Sequence, residues 1–187
     1  VDRRQRQMCI RDSNGSGSVS YGVTTDINNN VYVTGWFENL TNFGDTVLTS
    51  YGSQDIFIAK HNQAGDLIWV LQAGDMAYDK GCGIVADNQT DPGIYITGTF
   101  DKTALFGDTT LYAYGQYYGF YDIFLAKYDT NGNFIWARKA GGNGYDTGHS
   151  LDCDNHNYLY ITGIFKDSVL FADTVSLTAE HTYDNFI

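Results

Sequence analysis

The sequence has little proline, glutamate, cysteine or basic charge, and no long apolar run. Of 187 residues one is proline (Pro92) and two are glutamate (Glu38 and Glu180), against 20 aspartates. Glutamate favours helices, whereas aspartate competes with the backbone and favours turns and caps, so this choice of acid points away from helix. No segment carries the apolar period of an amphipathic helix. No run of about 18 apolar residues occurs, which excludes a membrane-spanning helix. Lysine and arginine number 11 against 22 acidic residues, a net charge of −11. That balance argues against a nucleic-acid partner, which would need a basic patch. The three cysteines are Cys9, Cys82 and Cys153. Cys82 and Cys153 fall at non-equivalent places of the repeat described below, which gives a disulfide no support; as small, weakly polar residues they suit a core.

Apolar residues make up 43% of the chain, enough to bury a core, and the length fits one domain or part of a larger one. Glycine (21), tyrosine (15) and phenylalanine (11) are abundant. Aromatic and β-branched residues between Asn/Asp/Gly clusters predict many short strands joined by tight turns.

The opening thirteen residues, VDRRQRQMCIRDS, stand apart. They carry Arg3, Arg4, Arg6 and Arg11, and nothing like them recurs. The stretch Met8–Ser13 resembles one reading frame of a transposase adapter used in DNA library preparation, so residues 1–13 are expected to be a disordered, non-native extension. The alternative is a basic N-terminal arm. Without them the chain has 20 acidic and 7 basic residues.

An internal repeat organises the remainder. VYVTGWF (Val31–Phe37) returns as IYITGTF (Ile94–Phe100) and LYITGIF (Leu159–Phe165). Phe43, Phe106 and Phe171 follow at a constant offset and open FGDT, FGDT and FADT. Next come DIFIAK (Asp55–Lys60), DIFLAK (Asp122–Lys127) and DNFI (Asp184–Ile187). Two units continue into LIWVLQAG (Leu67–Gly74) and FIWARKAG (Phe134–Gly141); the third does not reach that segment. Each unit reads as four strands, the first ending near Asp26, Asp87 or Asp154. The FGDT element is left as a short extra strand or a loop. Asn131-Gly132 suits the positive φ angles of a hairpin turn. Gly35, Gly98 and Gly163 lie inside strands, where glycine marks a bulge or a close backbone approach. Trp69 and Trp136 are expected to pack between units.

Four antiparallel strands per unit, repeated, is the pattern of a β-propeller blade. From Val19 to Ile187 the units resemble the SBBP-type β-propeller repeat, departing at Asn30, at Ala172, at Ser176 and in a lengthening at Gln116–Phe120. The expected fold is therefore all-β: a partial β-propeller of about three consecutive four-stranded antiparallel blades, at 14–78, 79–145 and, truncated, 146–187. Closed propellers have roughly four to eight blades, so further blades of the same chain are expected partners. The resemblance implies secreted or surface-located bacterial proteins built for binding, hence an extracellular or cell-surface location, and no single catalytic activity.

Candidate sites are few. An aromatic cluster, Tyr112, Tyr114, Tyr117, Tyr118, Phe120 and Tyr121, includes four residues that the first unit lacks. Tyrosines on a loop make rigid amphipathic contact surfaces for glycan or protein, while the structural alternative is that they cover the outer edge of their own blade. Asp79 and Asp146 precede the first strands and could hold a cation such as calcium at a channel mouth, beside the reading that recurring aspartates bond the backbone. No other cofactor is expected. Asp129–Asn133 superficially resembles half of a calcium loop, but a full loop needs a distant bidentate glutamate, and a hairpin turn is favoured. The histidines His61, His149, His156 and His181 have no metal-ligand spacing, and no glycine-rich loop precedes a helix, so no catalytic residue is assigned. The function expected is a non-catalytic scaffold or adhesion surface; the alternatives are a propeller hydrolase or lyase, with its site at the channel mouth or in further blades, and a purely structural spacer.

Overall fold

The computed structural model describes residues 17–87, 92–115, 119–156, 158–171 and 174–187. The expectation for residues 1–13, and the candidates Tyr117 and Tyr118, fall outside them. The described elements are strands, and no helix occurs among them. The first unit holds β1 (Ser18–Thr25), β2 (Val31–Phe37), β3 (Leu40–Phe43), β4 (Thr46–Thr49), β5 (Asp55–His61) and β6 (Leu67–Ala73). The second holds β7 (Lys80–Asp87), β8 (Gly93–Asp101), β9 (Thr103–Phe106), β10 (Thr109–Tyr112), β11 (Tyr121–Asp129) and β12 (Phe134–Gly141). The third holds β13 (Thr147–Cys153), β14 (Leu159–Phe165), β15 (Ser168–Phe171), β16 (Val175–Thr178) and β17 (Asp184–Phe186).

Each unit is an antiparallel sheet with the same order: β1-β2-β5-β6, β7-β8-β11-β12 and β13-β14-β17. The first strands β1, β7 and β13 lie beside one another, so neighbouring sheets pack face against face. Strands covered on both faces lose the polar–apolar alternation of a half-exposed strand. Accordingly β8 is buried at all nine positions and β5 at all but Lys60.

The FGDT segment resolves into a two-stranded hairpin, and it does not join its own sheet. The β9–β10 hairpin of the second unit bonds back to the end of the first unit's last strand, Gly74 N to Leu105 O at 3.0 Å and Leu105 N to Gly74 O at 3.2 Å. The β15–β16 hairpin of the third unit pairs likewise with β12, Phe171 opposite Ala140. The phenylalanine that opens FGDT holds the hairpin to its own unit. Phe43–Phe57, Phe106–Phe124 and Phe171–Phe186 stack with ring centroids 4.9, 4.8 and 5.0 Å apart. The hairpin is thus a clasp, bound by side chain to one unit and by backbone to the one before.

The apolar cores follow the same logic. The largest joins Ile56, Ile58 and Ala73 of the first unit to Ile96, Phe106 and Phe124 of the second. Another joins Ile123 and Ala140 to Phe165, Val169 and Phe186. Trp69 lies between units as expected, touching Tyr32 at 6.0 Å on its own side, with the Gly132 turn of the next unit against it. Lys60 Nζ crosses the same joint to Thr130 O at 2.8 Å.

The Thr-Gly pair of the second strand has a double role. Thr34 Oγ1 donates to Phe57 O at 2.9 Å and Thr97 Oγ1 to Phe124 O at 2.7 Å. The glycine beside it faces a bulge in the first strand. A Cβ at Gly35, Gly98 or Gly163 would collide with the carbonyl oxygen of Val19, Lys80 or Thr147, respectively, and with the Phe57, Phe124 or Phe186 ring. No alternative residue leaves that carbonyl its place. Gly98→Ala is therefore expected to cost about 3 kcal/mol, as overpacking of a filled site does. In a chain of this size that lowers the melting temperature by roughly 6–12 °C. An unchanged calorimetric melt would refute the seating of the bulge.

Candidate functional site

The recurring aspartates are spent on backbone. Asp26 Oδ1 accepts from Asn28 N and Asn30 N, both at 2.9 Å, and its Oδ2 from the Tyr32 hydroxyl at 3.0 Å. Asp154 repeats this with His156 N at 2.8 Å, Tyr158 N at 3.0 Å and the Tyr160 hydroxyl at 3.2 Å. Asp129 closes its own turn through Asn131 N and Asn133 N, both at 2.8 Å, so the segment that resembled half a calcium loop is a turn closed by its first residue. Burial draws the Asp26 carboxyl upward, but the bonds from Asn30, Tyr32 and Asn28 outweigh it and hold it below the usual value. The exposed Asp154 carboxyl is also held low, chiefly by the Tyr158 amide.

A second set sits at the joints. Asp55 Oδ2 accepts from Tyr51 N at 2.7 Å, Asp122 Oδ2 from Tyr114 N at 2.8 Å and Asp184 Oδ2 from Glu180 N at 2.7 Å. The anchor is kept in the second unit although its partners lie eight residues apart there and four in the others. Asp79 and Asp146, the candidate cation ligands, are wholly buried. Asp79 accepts from Asp75 N at 2.8 Å and from Asp101 N at 3.3 Å. Asp146 accepts from Lys166 N at 3.0 Å. Their own amides reach back to the preceding unit, Asp79 N to Gln54 O and Asp146 N to Tyr121 O, both at 2.8 Å. Each therefore ties a linker, a strand end and the neighbouring sheet together. The two stand in separate joints, Asp79 near Asp55 and Asp101, and Asp146 near Asp122 and Asp167. Among the described residues no group of three or more His, Cys, Asp or Glu side chains is placed to hold a metal ion.

Burial drives these carboxyls the other way. Asp79 lies well above its usual value, Asp122 is pushed up to about 7 by burial with the adjacent Asp146 adding to it, and Asp146 is pushed up to about 6 by burial.

The aromatic cluster divides. Lys139 of β12, the outer strand of the same unit, donates to the Tyr112 backbone O and stands 3.5 Å from the centre of the Tyr114 ring, while Tyr112 itself is 64% exposed. Phe120 packs on Gly115. Tyr121 turns instead toward the next unit and meets Tyr145 edge-on at 5.0 Å, and Tyr145 meets Tyr183 at 6.3 Å. This row runs across the joint between the second and third units because the Asp146–Tyr121 backbone bond brings its members together. At the middle of the row Tyr145 lines a groove of about 400 Å³ with Tyr21, Lys80, Cys82, Thr99, Thr147 and His149, drawn from all three units. A site of that size suits a small ligand or a short segment of one. Composition and motif reading did not find Tyr21, Lys80, Thr147 or His149. The one signal available was positional, since Tyr21, Cys82 and His149 occupy equivalent places in VSYGV, KGCGI and TGHSL.

No protein-family model matches the chain. It is 28% identical over 158 residues to an uncharacterized WD repeat-containing protein, L264, of Acanthamoeba polyphaga mimivirus, the match covering 67% of this chain and 11% of that protein. The chain spans about a ninth of that relative's length. The similarity is to a repeat protein, in keeping with three like units of antiparallel sheet.

The buried carboxyls predict a pH dependence. A carboxyl whose folded pKa is raised stabilises the fold below its unfolded value and loses that contribution as pH rises through the folded value. For Asp122 that window runs from 3.8 to about 7. The melting temperature of the wild type should therefore fall relative to that of Asp122→Asn across this range. A constant difference between the two melting curves would contradict it.

Proposed function

We propose that the chain is part of a β-propeller built from SBBP-like repeats, and that it acts as a non-catalytic binding module for glycan or protein at a cell surface or outside the cell. The observation that carries this is the disposition of polar groups. Recurring aspartates at the turns (Asp26, Asp154) and at the joints (Asp55, Asp122, Asp184, Asp79, Asp146), and the threonines Thr34 and Thr97, are engaged with backbone at equivalent places. The position that differs in every unit is left on the surface at Tyr21 and His149. A reacting pair of acids or a nucleophile–base pair would break that rule at one unit, and the aspartates at the joints follow it. The similarity to a WD repeat-containing protein supports a repeat scaffold, and packing of sheet on sheet supports radial blades.

The reading is tested with the folded chain on a glycan array, beside a pull-down from cell-surface extract. Retention of a defined saccharide class or of a defined protein, without product formation during incubation, is the expected result. An empty array together with an empty pull-down, or steady turnover of a bound saccharide, overturns it.

A further inference from the structure

Each first strand carries one residue more than its partner can pair. Ser20 stands opposite Gly35 and Gly22 opposite Thr34, which leaves Tyr21 over. Gly81 stands opposite Gly98 and Gly83 opposite Thr97, which leaves Cys82 over. Gly148 stands opposite Gly163 and Ser150 opposite Thr162, which leaves His149 over. The residues flanking each bulge are small, and the extruded residue differs in every unit: tyrosine, cysteine, histidine. A bulge re-aims a side chain out of the pleat. Because β1, β7 and β13 lie side by side, all three extruded side chains line the same groove. The invariant Thr-Gly of the second strand therefore has a consequence beyond packing. It seats a bulge whose product is one freely variable side chain per unit, delivered to a shared site.

The contents of the groove define its chemistry. Tyr21 and Tyr145 are 56% and 37% exposed and offer ring surface. Lys80 supplies an ammonium beside the Trp36 ring, 5.9 Å from its centre. Thr147 is only 5% exposed, and its hydroxyl has no hydrogen-bond partner within the protein. Among the described residues lining the groove none is an aspartate or glutamate, although the chain has 22 acidic residues against 11 basic. We infer that this groove is a binding site for a short anionic saccharide, with its carboxylate at Lys80, a sugar face against Tyr21 or Tyr145, and its hydroxyls at His149 and Thr147. The pairing of aromatic face with dispersed donors matches a ring that is apolar on its faces and polyhydroxylated at its rim. The net charge of −11 works against a long polyanion, whose remaining charges would lie over an acidic surface. Burial pushes the Cys82 thiol up to about 11, so it serves as a neutral contact and not as a nucleophile.

This inference rests on the binding-module reading, and its test separates the two. The folded chain is titrated calorimetrically at low salt with digalacturonic acid, with neutral galactobiose and with triglutamate. Saturable binding of digalacturonic acid is expected, at least about tenfold weaker in Lys80→Gln, where a charge-assisted bond is lost, and about threefold weaker in Tyr21→Ala and His149→Ala. Tyr21 and His149 are exposed, so these variants should melt as the wild type does. Equal binding of galactobiose, tighter binding of triglutamate, absence of binding, or affinity unmoved by the three substitutions each overturns the assignment. If the array in that case still shows a saccharide or the pull-down a protein, the module reading stands and only this groove is lost.

Discussion

The inner strands of these sheets are apolar on both faces, and neighbouring sheets together with the hairpins cover them. That constraint accounts for most of the structure. It explains why β5 and β8 are apolar on both sides, and why the largest core lies between units and not within one. It also explains the hairpin clasps. A sheet-on-sheet contact resists separation but permits sliding. The bonds from Gly74 to Leu105, and the pairing of β12 with β15, fix one sheet at a set position on the next. Stability in such an array resides in the joints as much as in the units.

The joints in turn account for the composition. Aspartate is used where a carboxylate must reach backbone amides two to four residues away, as at Asp26, Asp129 and Asp154. Glutamate, longer by one methylene, fits those turns poorly. The same residue type is also placed in the buried joints, at Asp55, Asp79, Asp122 and Asp146. There the surroundings favour the neutral acid, whereas the turn aspartates favour the anion. The acidity of the chain thus arises from the way its turns and joints are built.

Because the recurring polar side chains are engaged in this way, any selectivity for a ligand has to come from positions that differ from unit to unit. Two devices create such positions. One is the lengthening of the second unit ahead of Asp122, which keeps the Asp122 anchor to Tyr114 N, with the Tyr114 ring against Lys139 of β12. The other is the bulge of each first strand, which sends Tyr21, Cys82 and His149 to one groove. The second combines three units in one place.

The sequence alone determined the strands, their grouping into units and the bulge glycines, since these follow from local periodicity, turn chemistry and repetition. It also marked Asp129–Asn133 as a turn, because Asx geometry is local. It left the FGDT element undefined, because that hairpin takes its backbone partners from the preceding unit, more than thirty residues back at Gly74. It grouped Tyr121 with Tyr112 and Tyr114 on sequence proximity, whereas the joint carries Tyr121 away to Tyr145. It could not bring Tyr21, Lys80 and His149 together, for they lie in three units and meet only because the first strands run side by side. Local pattern specifies what each unit is; the packing of one unit on another decides which of its side chains share a site.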